Sequence, residues 1–318
     1  MSLFPPPKDM TADIFSRVPD NLRKRTSSSW ADANRPGLSC DSFLEGPSFD
    51  RDGNLYLVDV AFGRIFRVSP DGARWDVVTE YDGWPNGLKI HKDGRLFVTD
   101  YRRGLLTVDP NTGAVEDLVT HRFSEGFIGT NDLHFALNGD IYFTDQGQTG
   151  LHDPRGRVYR LRASGTEFGP LELLISNGPS PNGLVLAPDE RSLYVAMTRA
   201  NAVWRLPLML DDSISKVGMF VQMSGGTGPD GMAIDAAGGL VVAHVGMGAA
   251  WHFSPLGEPM HRIRSPKKLG GHGPNGEGLA TTNVAFGGQD RRTVYLTESE
   301  TGTILSAELP VAGNPMFG

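Results

Sequence analysis

Six polar residues, Glu45, Asn86, Asn131, Asn182, Asp230 and Asn283, stand at the head of successive apolar stretches. Carboxylate and carboxamide oxygens of this kind suit a hard divalent cation. Ca²⁺ accepts both in loose geometry, and two carboxylates would match its charge. No histidine heads a stretch, which disfavours a zinc-type ligand set. Burying such side chains is costly unless something engages their oxygens. Singly, Asn or Asp before Gly is also turn chemistry, and polar residues can line a water-filled channel. The case for a ligand ring therefore rests on the six occurring in register.

That register implies the elements that must hold them. Each polar head precedes a strand, a Gly or Asp turn, and a second strand of the type Leu96-Phe97-Val98-Thr99-Asp100 or Ile141-Tyr142-Phe143-Thr144-Asp145. From the head to the second residue of that strand the separations are 11, 11, 11, 12, 11 and 12. The heads themselves lie 41, 45, 51, 48 and 53 residues apart, the length of a four-stranded propeller blade. Blades stack radially because none can cover both of its faces alone. The reading is an all-β chain, a six-bladed β-propeller over 39–318, with 1–38 as an N-terminal extension packing on it. In such a fold the six heads begin the innermost strands and ring one mouth of the central channel.

Composition narrows the function. Forty glycines spread along the chain fit many tight turns. A net charge of −7 offers no concentrated basic surface, so nucleic acid is not expected as a partner. A single cysteine, Cys40, excludes an internal disulfide framework and a cysteine-only zinc site. No stretch reaches membrane-span length and Met1–Pro7 has no apolar leader pattern, so a cytoplasmic protein without membrane contact, monomeric or weakly homo-oligomeric, is expected. Gly271, Gly273 and Gly276 spell a GxGxxG, but Pro274 interrupts it and no helix pattern follows, so it reads as a loop.

Glu45-Gly46-Pro47, Asn131-Asp132, Pro181-Asn182-Gly183, Pro229-Asp230-Gly231 and the stretch from Thr281 to Gly288 together resemble the gluconolactonase/regucalcin-like family, over nearly all of 40–310. Tyr142-Phe143-Thr144-Asp145 with Pro181-Asn182-Gly183 is most similar to its bacterial lactonases. The resemblance implies metal-dependent hydrolysis of a lactone by one divalent metal, Ca²⁺ or a substitute such as Zn²⁺, Mn²⁺ or Mg²⁺. It implies Glu45, Asn182 and Asp230 as ligands. Asn131 becomes a fourth ligand or the holder of a bound water or substrate. Asp230 is further implied as base or nucleophile beside a metal-polarised carbonyl.

Two positions depart from the family pattern. Gly129 stands where sugar-lactone members carry an arginine, and Ala233 gives no carboxylate for a second, structural calcium. With Trp84, Phe127, Met247 and His272 as candidate substrate contacts, Gly129 points to a non-sugar or hydrophobic lactone. The competing readings are a calcium-dependent phosphotriesterase with a similar ligand set and a non-catalytic calcium-binding propeller.

Overall fold

The computed structural model describes residues 4–37, 40–164, 167–211, 213–315 and 317. Among these residues the chain folds as a six-bladed β-propeller. The innermost strands are Leu44–Phe49, Pro85–Ile90, Thr130–Phe135, Pro181–Leu186, Gly228–Ile234 and Thr281–Gly287. Each packs on the next, and the last returns to the first, so the six close a ring around one axis. The second strands, such as Leu96–Asp100 and Ile141–Asp145, are buried throughout because neighbouring blades cover both faces. One such seam joins Val185, Tyr194, Ala196 and Val203 of blade four to Met232, Ile234, Leu240 and Val242 of blade five.

Blade six takes only three strands from the C-terminal repeat. Its fourth is Asp13–Arg17, antiparallel to Thr303–Glu308, so the ring is closed by pairing the two ends of the chain. Lys8–Thr11 adds in parallel to Pro259–Arg264, the outer strand of blade five. Part of the segment set apart as an N-terminal extension is thus built into two blade edges. The expected boundary at 38–39 lies outside the described residues. At the far end of the channel, the Asn314 N–H donates to the Ile234 carbonyl and Phe317 stacks on Phe135 at 5.1 Å. The C-terminal residues therefore cross that end.

A repeated device starts each innermost strand. All six lose register with their second strand there, between Glu45 and Ser48, Pro85 and Leu88, Thr130 and Leu133, Pro181 and Leu184, Pro229 and Met232, and Thr281 and Asn283. A bulge at a strand end re-aims side chains and breaks ladder pairing. The freed backbone groups are taken up by buried threonines. Thr99 Oγ1 accepts from the Gly87 N–H and donates to the Asn131 carbonyl of the next blade. Thr144 Oγ1 links the Asp132 N–H to the Asn182 carbonyl in the same way, at 3.0 and 2.8 Å. Close approach of adjacent blades then explains the glycine after the head. A Cβ at Gly183 would stand 2.5 Å from the Asp230 carbonyl oxygen.

Candidate functional site

Glu45, Asn86, Asn131, Asn182, Asp230 and Asn283 all lie on the bulged starts of the innermost strands, at one end of the channel. Glu45, Asn131, Asn182 and Asn283 are buried, whereas Asp230 and Asn86 keep partial exposure. The Asn283 amide donates to Glu45 Oε2 at 2.9 Å, and its own oxygen accepts the Val284 N–H at 2.8 Å. That amide is spent on the fold. Asn131 is held differently: its Nδ2 donates to Gln146 Oε1 at 2.8 Å, and Gln146 Nε2 donates to Ser180 Oγ at 2.9 Å. This chain fixes how the Asn131 amide lies and leaves Oδ1 as its acceptor.

The electrostatics of the ring are those of crowded carboxylates. Burial raises the Glu45 carboxyl above its ordinary range, and the Asp132 charge adds to this, while the Asn283 amide and the Gly46 N–H oppose it. Burial, then Glu45 and Asp132, push the Asp230 carboxyl well above its ordinary value, against the Asn182 amide and Arg199. Asp132 follows Asn131 on its strand, is fully buried, and has Lys89 Nζ at 4.0 Å as a partial counter-charge. Sequence reasoning passed over Asp132. Its signal was an acid in a position that is glycine in blades one, two, four and five.

Glu45, Asp132 and Asp230 with Lys89 beside them carry an excess of negative charge that a divalent cation would balance. Among the described residues no three His, Cys, Asp or Glu side chains gather at metal-binding spacing. A cation in the ring would therefore depend on the asparagine oxygens as much as on the carboxylates, which hard cations accept.

The remaining candidates sit on loops at this same end of the channel, where second strands finish and innermost strands begin. Trp84 is half-buried, with Tyr101 at 5.9 Å between ring centroids and the Arg102 guanidinium 5.7 Å over its ring. Met247 is exposed, beyond the second strand of blade five. Gly129 lies under the Tyr101 ring, which a Cβ would meet at 2.5 Å, and its φ of +144° is one that side-chain-bearing residues rarely adopt. Its N–H and that of Ile128 donate to Asp145 Oδ1 at 2.8 and 2.9 Å. Burial pushes the Asp145 carboxyl up to about 6. The Phe127 ring turns inward, edge-on to Phe143 and Tyr159 at 5.5 Å each. The largely exposed His272 ring is paired with Glu300 through Nδ1.

Comparison with known proteins places this arrangement. The SMP-30/Gluconolactonase/LRE-like region matches residues 43–300. The lactonase drp35 of Staphylococcus aureus (strain MRSA252) is 33% identical over 261 residues, covering 79% of this chain and 77% of that protein. Among solved structures, a gluconolactonase from Xanthomonas campestris superposes with a TM-score of 0.72 at 23% identity, over 94% of this chain and 97% of that one. The calcium-binding protein regucalcin from Agrobacterium tumefaciens gives 0.70 at 20% identity, over 98% and 97%. At those identities the two structures share the fold.

Proposed function

The chain belongs to the SMP-30/gluconolactonase/LRE-like family, and on that premise we propose that it is a lactonase, a hydrolase that opens cyclic esters. The observation that carries this is the ring of acid and amide side chains at the channel mouth, in a chain one-third identical to a lactonase over most of its length. We assign Glu45, Asn131, Asn182 and Asp230 as ligands of one divalent metal, Ca²⁺ first. The regucalcin likeness and the all-oxygen donor set favour that ion. When bound, such a cation supplies a Lewis acid for the lactone carbonyl.

The chain's own residues do the rest. Asp230 is the ring carboxylate with partial exposure, so it faces arriving substrate. Its Oδ takes the proton of the attacking water or attacks the carbonyl itself. Asn131, clamped through Gln146, presents a fixed acceptor in the same ring. Trp84, Phe127, Gly129, Met247 and His272 shape the entrance. Trp84 and Met247 offer apolar surface, Phe127 anchors its loop from below, and the Tyr101 ring fills the space over Gly129. This entrance suits a non-sugar lactone.

The test is proton release from a lactone panel running from gluconolactone to dihydrocoumarin and alkyl γ-lactones. The protein is stripped by chelator, then restored with Ca²⁺, Zn²⁺ or Mn²⁺. Hydrolysis that returns with metal and is lost in Asp230→Asn supports the proposal. A protein that opens no lactone with any metal, or keeps full activity in chelator, overturns it. A phosphotriester run in parallel would then show whether the ring serves that chemistry.

A further inference from the structure

The register that gathers the polar heads at one end of the channel also builds a second ring further in. Three residues beyond each head stand Ser48, Lys89, His134, Val185, Ala233 and Phe286. All six line one cavity of about 50 Å³ inside the channel. Asn314, on the C-terminal stretch that crosses the far end, is part of its wall. The ring is divided. Blades one to three supply a hydroxyl, an ammonium and an imidazole, and blades four to six supply only hydrocarbon.

Ser48, Lys89 and His134 are only 5, 7 and 7% exposed. Among the described residues none of the three makes a side-chain hydrogen bond, and His134 Nδ1 is fully buried without a partner. The acid beside Lys89 is Asp132, whose Oδ1 lies 4.0 Å from Nζ, too far for a hydrogen bond. Asp132 is not part of the cavity wall. Among the described residues no carboxylate lines it, so the one charge on the wall is positive.

Buried donors left unpaired are costly, and a charged one most of all. An ammonium has three donors and no lone pair, and a hydroxyl and a neutral imidazole each add one more. A guest that only accepts, and whose other side tolerates hydrocarbon, suits such a wall. A small monovalent anion is that guest. Volume sets its size: a water takes about 30 Å³ in the liquid, so there is room for one halide ion and little else. We propose that the channel below the polar heads is an anion site in which Ser48, Lys89 and His134 hold one halide ion. The site does not depend on the lactonase reading, but the charges above bear on it. Glu45, Asp132 and Asp230 outweigh Lys89, so a divalent cation among the heads favours the anion, and the anion favours the cation by the same factor.

The test is urea unfolding at constant ionic strength while sodium chloride or bromide replaces isethionate, an anion too large for the cavity. It is run in chelator and again with saturating Ca²⁺ added as the isethionate. The midpoint is expected to rise with halide and to saturate as for one site, at lower halide when Ca²⁺ is present. In Lys89→Met the halide concentration giving half the effect rises about 10- to 100-fold, the range for a lost charge-assisted hydrogen bond. Ser48→Ala raises it by less. Each protein is compared with itself, so a lower starting stability of a variant does not blur the reading. Crystals of the wild type grown in sodium bromide locate the ion by anomalous scattering, expected in the cavity beside Lys89. A midpoint that ignores which anion is present, a response unchanged in Lys89→Met, or bromide bound elsewhere and not in the cavity overturns the proposal. A saturating halide response that is equal in chelator and in Ca²⁺ upholds the site and removes only its coupling to a cation among the heads.

Discussion

Replacing Glu45 by glutamine isolates the electrostatic cost of the ring. In the metal-free fold Glu45 holds its proton up to about pH 7, against an ordinary value of 4.5. The folded state therefore binds the extra proton between those values, and this group's contribution to stability falls as pH rises through the window. Keeping the proton up to about 7 instead of 4.5 corresponds to about 3 kcal/mol. Glu45 is 3% exposed, so solvent screening removes little of it. His134 acts in the opposite direction. Burial holds its pKa down to about 3, so it adds stability as pH rises toward 6.5. The wild-type curve alone is thus uninformative, and the measurement is the difference between wild type and Glu45→Gln. Urea unfolding in chelator, followed by tryptophan fluorescence, should show the variant gaining on the wild type by about 3 kcal/mol between pH 4.5 and 8. Saturating Ca²⁺ should reverse the order at neutral pH, because the wild type then gains binding free energy that the variant lacks. A difference that stays flat with pH in chelator would refute the reasoning, since it would mean that Glu45 is ionised in the folded chain at no cost.

Three further outcomes follow from the geometry. Thr144→Val keeps the shape but strands the Asp132 N–H and the Asn182 carbonyl, costing about 1–3 kcal/mol in urea unfolding. Gln146→Leu releases the Asn131 amide and should weaken Ca²⁺ binding about 10- to 100-fold by calorimetry while the unfolding midpoint in chelator stays near wild type. Phe127→Ala removes a half-buried ring from Phe143 and Tyr159 and should cost about 2 kcal/mol, with substrate preference measured on the same lactone panel changing less than stability does.

The blade repeat was legible because the bulge and the second strand are local and recur in each blade: a polar head, in four blades a glycine for the close approach of the next blade, and a second strand at nearly fixed distance. The closure was not. Asp13–Arg17 is a short outer strand with one face in solvent, so its residues carry no repeated signal. The available clue was arithmetic, because the last repeat supplies only three strands and some other segment had to provide the fourth. Asp132 was visible as an acid in a glycine position, yet its role depends on Lys89 and Glu45, which come from two other blades. Gly129 was read as a missing arginine. The Tyr101 ring and the positive φ show a position where any side chain would be strained.

The ring can stay polar because the backbone around it does not compete for its side chains. A bulged strand start ordinarily leaves orphan N–H and carbonyl groups that nearby Asn and Asp would satisfy. Here threonines at the ends of the second strands or just beyond them take that work at the joints of blades two to five, through Thr99, Thr144 and Thr198. The acids ending those strands pin the incoming loops, as Asp59 does for the Phe43 N–H and Asp145 for Ile128 and Gly129. The side chains of Asn131, Asn182 and Asp230 are left to face the channel and one another. Asn283 marks the contrast, since it spends both ends of its amide on Glu45 and its own strand. What separates a proposed ligand position from a structural one in this ring is therefore the partner supplied by the neighbouring blade, and a six-fold repeat becomes one-sided through the residues that break its symmetry.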